Sequence, residues 1–267
     1  MWQPRVKTIA GLQKGLLVLD ALHAAESGMS LQDLHAATSI PKATLLRVLV
    51  TLEQHGAIWR RHIDGAFYAS HSLQRRSHAP DPASRLVECA ADELDSLQAK
   101  VQWPSDIAIR SAYGMTLCET NRTSSYITVH KDKLGFEISM VRSAVGRAYL
   151  AFCTAEEREE ILAGLRNSDR PGDALARHPV ELNAILERTR RLGYGVRDPE
   201  FGGDYDAPKA RHDDRLAAIA VPIPKDGGLH GCLNMVWIES LFTVDQVVEK
   251  YLGILQNAAQ RIARRVA

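Results

Sequence analysis

Apolar positions along the first seventy residues fall into three helical periods followed by two short alternating runs. Leu12, Leu16, Leu17, Leu19 and Leu22 mark a first helix of about four turns, ended by the Glu26-Ser27-Gly28 loop. Residues 30–56 then read as two short helices with a tight break between them. In the second, Leu45, Leu49 and Leu52 recur at helical spacing and are joined by Leu46, Val48 and Val50. Thr44, Arg47, Thr51 and Gln54 fall on another face, with Lys42 at the helix start and Gly56 as the C-terminal stop. Residues 57–61 and 66–68 are rich in β-formers and flank the Asp64-Gly65 turn signal, so a hairpin follows, with Arg60 and Arg61 near its tip.

Three helices and a basic hairpin make a winged helix. One side of the last helix packs on a core, and the other presents short hydroxyls and cations, as a major-groove reading helix needs. The wing can lay its arginines along the phosphate backbone or in the minor groove. Each residue also has a plainer reading. Arg60, Arg61 and Lys42 would serve as solvated surface charges, and Ser39 either contacts phosphate or shapes the turn.

The pattern changes after residues 71–82, whose Ser, His, Pro and Arg content is that of a linker. Residues 83–100 carry Leu86, Cys89, Ala90, Leu94 and Leu97 on one helical face. Strand alternation is expected over 105–111, 115–119, 126–130 and 136–141, and again over 193–197, 216–223 and 229–238. Helices are expected over 144–153, 156–165, 180–192 and 243–266, with Thr154 and Pro179 as start signals. The closing helix sets Val247, Val248, Tyr251, Leu252 and Leu255, preceded by Phe242, on its apolar side. An antiparallel sheet with helices on one face is the economical solution, so the fold class is α+β.

Charge sharpens this division. The chain of 267 residues has a formal net charge of +1, but residues 1–76 hold nine Lys/Arg against five Asp/Glu. The basic excess lies where the winged helix was read. The four cysteines are scattered without a C-x-x-C pair, and no His, Cys and carboxylate set has metal-ligand spacing, so neither a disulfide framework nor a bound metal is expected. No cofactor motif appears, and no nucleophile elbow, P-loop or zinc-protease motif points to an enzyme. Without an apolar run long enough for a membrane span or signal peptide, the expectation is a cytoplasmic protein with no membrane partner.

The motifs Gly11-Leu12, Ser30-Leu31, Ile40-Pro41-Lys42-Ala43-Thr44, Arg47, Leu49, Leu52 and Gly56 resemble the IclR family of bacterial transcriptional regulators. The second half agrees through Ser143-Ala144-Val145-Gly146-Arg147-Ala148, Gly193-Tyr194-Gly195, Ile219-Ala220-Val221-Pro222 and Gly231-Cys232-Leu233-Asn234. Within the family, Val101-Gln102-Trp103-Pro104-Ser105-Asp106 and the last two motifs look most like regulators of 3-hydroxyphenylpropionate catabolism, which are activators. The resemblance implies a winged helix-turn-helix DNA-binding domain over 1–70, a linker over 71–82, and a GAF-like effector-binding domain with an antiparallel sheet over 83–267. It further implies a homodimer or tetramer on a double-stranded DNA operator. The implied DNA-binding set is Ser39, Lys42, Ala43, Thr44, Arg47, Arg60 and Arg61.

The resemblance also implies a small carboxylic-acid effector, its carboxylate held by backbone amides at Ala144 and Val145, where Ser143 can cap the helix. Asp198 and Asn234 match polar positions of that site, with Trp103, Asp106 and Met140 as further candidates and Trp237 near enough to be considered. Ala218 and Val236 stand where relatives sensing small acids carry polar groups. Apolar area removed from water contributes about 25 cal/mol per Å², so this exchange favours an aromatic acid over an aliphatic one and an aromatic-catabolism operon as target. The plainer readings make Trp103, Met140 and Trp237 core residues, Asp198 a turn residue, and Cys118 and Cys232 small buried hydrophobes. A small aliphatic effector remains an alternative, as does a winged helix that binds protein rather than DNA.

Overall fold

The computed structural model describes residues 8–25, 27–70, 82–121, 137–205, 207 and 209–266. The strand expected over 126–130 and the linker over 71–81 lie outside the described residues. The chain divides into two compact units, residues 1–88 and 89–267, and the division falls within the helix α4 (Pro82–Lys100).

In the first unit, α1 (Ala10–Ala24), α2 (Leu31–Thr38) and α3 (Lys42–Gln54) surround Val18, Leu22, Leu34, Ile40, Leu45 and Leu49. A capping box starts α2. The Asp33 N–H donates to Ser30 Oγ (3.2 Å), and the Ser30 N–H donates back to Asp33 Oδ2 (3.0 Å). The Ser30 hydrogen bonds hold the Asp33 carboxyl below the usual carboxylate range. The α2–α3 break is a left-handed residue, Ser39 (φ 56°), whose N–H closes onto His35 O at 2.9 Å. His35 Nδ1 reaches the Ile40 carbonyl at 2.7 Å; a carbonyl only accepts, so this nitrogen carries the proton. Ile40 is thereby set into the core and the direction of α3 is decided.

Two expectations for this unit are corrected. Gly15, Val18 and Leu22 form the buried side of α1, whereas Leu12, Leu16 and Leu17 face outward. On α3, Leu46 (47 % exposed) and Val50 (49 %) lie outside the apolar side that Leu45 and Leu49 bury. A helix packed on one side of a small core can bury only a narrow stripe, so a leucine-rich helix leaves some leucines in solvent. Gly56, at φ 65°, ends the α3 segment as expected. The hairpin is shorter than expected: β1 (Ile58–Arg60) pairs antiparallel with β2 (Phe67–Ala69), Trp59 opposite Tyr68, and Met29 adds a single bridge to Phe67.

The second unit is built on a six-stranded antiparallel sheet of order β5-β4-β3-β8-β7-β6. Its strands are β3 (Ser105–Ser111), β4 (Gly114–Thr120), β5 (Glu137–Ile138), β6 (Gly195–Val196), β7 (Leu216–Lys225) and β8 (Gly228–Ile238). Its helices are α5 (Ala144–Phe152), α6 (Ala155–Arg166), a 3-10 turn (Pro171–Arg177), α7 (Pro179–Leu192) and α8 (Val244–Val266). The sheet is covered on both faces, not one. Ala108, Ala218, Ala220, Cys232 and Val236 share one apolar cluster with α5. The alternate residues Ile219, Val221, Ile223, Leu233, Met235 and Trp237 are also buried, on the side where α8 packs against β7 and β8. β7 and β8 are apolar at nearly every position because neither face meets water.

Strand β5 is also shorter than the expected run over 136–141, and β6 is confined to two residues. After Ile138 the chain turns, the Ser143 N–H donating to Ser139 O (3.2 Å) and the Arg142 N–H to Ser139 Oγ (3.2 Å). The apolar Met140 and Val141 are buried under α5 in that turn, so their hydrophobicity reports burial without strand pairing.

Burial assigns opposite outcomes to two leucines of the first unit. Leu49→Ala should cost about 2–5 kcal/mol of stability. Leu16→Ala should stay within about 0.5 kcal/mol of the parent. Denaturant unfolding monitored by circular dichroism checks both; equal losses would contradict the burial pattern.

Candidate functional site

In the first unit the candidate side chains collect on the outer side of α3 and on the hairpin. With Leu45 and Leu49 facing inward, Lys42, Ala43 and Arg47 are exposed and Thr44 is half-buried on the outer surface. Ser39 is exposed at the turn leading into this helix. Thr51 Oγ1 is turned back onto Arg47 O (2.9 Å), which leaves Arg47 and Thr44 as the outward polar groups of the middle turns. The two hairpin arginines are tied into the wing. Arg61 forms an ion pair with Asp64 and lies over the Tyr68 ring (4.9 Å), while Arg60 Nε donates to Gly65 O (3.1 Å) and its guanidinium lies over Phe67 (5.5 Å). Trp59 stacks on Tyr68 at 4.8 Å and stiffens the hairpin. The wing therefore presents its cations from a held geometry, and part of the Arg61 charge is answered by Asp64.

In the second unit the candidates divide between the two faces of the sheet. Ala218 lies opposite Val236, and Ala220 opposite Asn234, which in turn lies opposite Asp106, itself opposite Thr120. Cross-strand partners point to the same side, so Ala218, Val236, Asn234, Asp106 and Thr120 all belong to the face that α5 covers. Asp106, wholly buried, takes the Thr120 hydroxyl (2.6 Å), and its own N–H donates to Asn234 Oδ1 (2.8 Å). That bond fixes the amide orientation: the oxygen faces the Asp106 backbone, and Nδ2 is the free end.

α5 presents its N-terminus beside this row. Ser143 caps it, accepting from the Gly146 N–H (3.0 Å), while Ala144 and Val145 supply first-turn N–H groups that have no intrahelical acceptor. Met140 is buried under the same end of the helix. Glycine is required at 146, since a Cβ there would overlap the Met140 backbone. The end of α5 is anchored by Arg147, a charge inside an otherwise apolar helix. Its Nε donates to Val141 O (2.9 Å), Nη1 to Val196 O (3.1 Å) and Nη2 to Asp198 Oδ2 (2.9 Å). Burial presses the Arg147 pKa down; the Asp198 charge opposes this, and nearby Arg142 adds to it.

Three of the residues expected near an effector stand in other surroundings than the rest. Asp198 is engaged: one carboxylate oxygen is paired with Arg147 and the other accepts the Glu200 N–H (2.9 Å). Trp237 lies on the opposite face from Asn234 and Val236, donating from Nε1 to Phe242 O (2.9 Å). Trp103 goes with it, edge-on to Phe242 at 6.0 Å. The Pro104 carbonyl accepts from the Val236 N–H, so alternation places Trp103 on the Trp237 side. Sequence reasoning missed Arg147 and Arg142; the signal for the former was a lone cation at a helical core position. Cys232 is a buried core residue as expected, whereas Cys118 is only half-buried, its Sγ donating to Ile107 O (3.4 Å); burial raises both thiol pKa values far above the ordinary range. Among the described residues no three His, Cys, Asp or Glu side chains come together as a metal site, and no helix is long and apolar enough to cross a membrane.

A helix-turn-helix with a wing, followed in the same chain by a sheet unit of this topology, defines a class of DNA-binding transcriptional regulators. Residues 11–61 match the IclR helix-turn-helix domain, and residues 83–264 match the C-terminal domain described as bacterial transcriptional regulator IclR. The chain belongs to the IclR family, whose members are transcriptional regulators and not enzymes. It is 19% identical over 215 residues to the HTH-type transcriptional regulator XynR of Escherichia coli (strain K12), covering 80% of each chain. The IclR of Thermotoga maritima superimposes with a TM-score of 0.54 at 20% identity, over 96% of this chain and 98% of that one. An IclR homolog from Microbacterium hydrocarbonoxydans, solved as a complex with 4-hydroxybenzoate, gives a TM-score of 0.52 at 22% identity, over 96% and 99%.

The close approach at Gly146 makes a sharp prediction. Gly146→Ala should push α5 off the Met140 turn and destabilise the second unit by about 1–3 kcal/mol, the range typical of overpacking. Thermal unfolding followed by near-UV circular dichroism measures it; an unchanged transition would show that the turn can yield.

Proposed function

We propose that this protein is an effector-controlled regulator of an aromatic-acid catabolic operon, acting in the cytoplasm as a homodimer or tetramer. Residues 1–70 read the operator, and residues 83–267 bind an aromatic carboxylic acid. The observation that carries the DNA-reading half is the division of α3. Leu45 and Leu49 are in the core, while Lys42, Ala43, Thr44 and Arg47 look outward beside Ser39 and the wing arginines Arg60 and Arg61. Lys42 and the wing would meet phosphates, and Thr44 and Arg47 would reach base edges. The half-exposed Leu46 and Val50 flank Arg47 and suit the methyl groups of thymine.

The effector half rests on the α5 end of the sheet. Backbone N–H groups of Ala144 and Val145, next to the Ser143 cap, suit a carboxylate. Ala218, Val236 and Met140 offer apolar surface, and Asn234 adds a single donor near the buried Asp106. That balance of a large apolar area and few polar groups fits a ring-bearing acid. The complex of the Microbacterium hydrocarbonoxydans homolog with 4-hydroxybenzoate supports the same class of ligand. The ligand would act by binding one arrangement of the DNA-reading units better than another.

Gel-shift titrations against the DNA flanking the gene test the first half. Arg47→Ala should weaken sequence-specific binding by about 1–3 kcal/mol, with the larger loss on the preferred sequence. Calorimetric titration with benzoate, 4-hydroxybenzoate, 3-hydroxyphenylpropionate, pyruvate and glyoxylate tests the second. Binding of the aromatic acids alone is the expected result, and binding confined to the two aliphatic acids would overturn it.

A further inference from the structure

Arg142 sits immediately before the Ser143 cap of α5, and among the described residues its side chain has nothing to hold. Its Nε is shielded from water and has no hydrogen-bond partner. Among the described residues its guanidinium enters no ion pair, ring contact or side-chain hydrogen bond. A guanidinium is permanently charged and carries five donors, so shielding part of it without an acceptor is unfavourable unless something else completes the site.

The surroundings do not complete it. Asp198, the nearby carboxylate, is engaged by Arg147 through one oxygen and by the Glu200 N–H through the other. Arg142 and Arg147 are close enough to repel, while Glu181 is the weakest of the charges acting on Arg147. Two guanidiniums thus lie close together, with Asp198 paired to only one of them, next to a helix end that is itself partly positive. A second, independent feature is Asn234, only 7% exposed on the sheet face that α5 covers. Its Oδ1 is committed to the Asp106 N–H, and Nδ2 makes no hydrogen bond among the described residues. A positive charge at the start of α5 and a neutral donor on the sheet face that α5 covers are both unanswered among the described residues.

We propose that Arg142 is a specificity-determining residue of the effector site, its guanidinium fork closing on the carboxylate of a monoanionic acid whose far end meets the Asn234 amide. The fork matches a carboxylate in two parallel hydrogen bonds, which an amide or ester of the same shape does not offer. Arg142 therefore makes the site read charge as well as shape. This inference rests on the effector reading above.

The test is calorimetry on the full-length protein with 4-hydroxybenzoate and its neutral isostere 4-hydroxybenzamide, for the parent, Arg142→Gln and Arg142→Lys. The acid should bind the parent, lose about 10- to 100-fold in affinity in Arg142→Gln, and recover part of that loss in Arg142→Lys. The amide should bind the parent weakly and be indifferent to both substitutions. Unchanged acid affinity in Arg142→Gln would overturn the role of Arg142 alone. Equal loss of acid and amide would also overturn it, since that marks a structural role. If the parent binds 4-hydroxybenzoate, benzoate and 3-hydroxyphenylpropionate not at all, the aromatic-effector reading falls and this one falls with it.

Discussion

The buried guanidinium of Arg147 is the constraint around which the second unit is organised. A charge taken out of water must be met by acceptors, and here it is met by two carbonyls and one carboxylate drawn from two separate stretches of chain. The Val141 carbonyl comes from the turn before α5, the Val196 carbonyl from edge strand β6, and the carboxylate from Asp198 beyond it. Removing any of the three would leave a buried charge short of a partner, so their relative positions are tightly specified. The end of α5, with its cap and unpaired N–H groups, is thereby held against the sheet. Asp198 is committed to Arg147 in this arrangement, and Arg142, on the neighbouring turn, has no ion pair among the described residues.

The first unit fixes its helices with local caps and turns. The capping box at Ser30 and Asp33 starts α2, the left-handed Ser39 ends it, and His35 draws the Ile40 carbonyl inward. Ile40, Leu45 and Leu49 then enter a common core and decide which side of α3 remains outside. Polar residues on that outer side need no intramolecular partner for the fold to stand. Their arrangement is free to serve recognition, whereas the wing arginines are partly engaged within the hairpin by Asp64, Gly65, Phe67 and Tyr68.

Most of the elements were legible because their signals are local. Helical spacing in α3, α4 and α7, the Thr154 cap and the two long strands of the central hairpin all follow from residues within a few positions of each other. The readings that failed involve burial at a distance. Met140 and Val141 look like strand residues, yet they are apolar because α5 sits on them. Leu12, Leu16 and Leu17 look like a core stripe, but α1 turns Gly15, Val18 and Leu22 inward instead. Trp103 and Trp237 looked eligible to stand beside Asn234 and Val236, but the strand register puts them on the other face, beside Phe242.

What the sequence determined by itself was the order and kind of the elements, the basic first unit, the motifs of the family, and the chemistry available at each position. Periodicity, capping and turn formation act over a few residues, so a linear reading captures them. Only the tertiary structure decided which face each strand residue joined, that α5 and α8 take opposite sides of the sheet, and that Asp198 is paired with Arg147 while the Arg142 guanidinium has no partner among the described residues. Those outcomes depend on cross-strand register and on charges meeting from segments some fifty residues apart, and no local pattern encodes the distance between them.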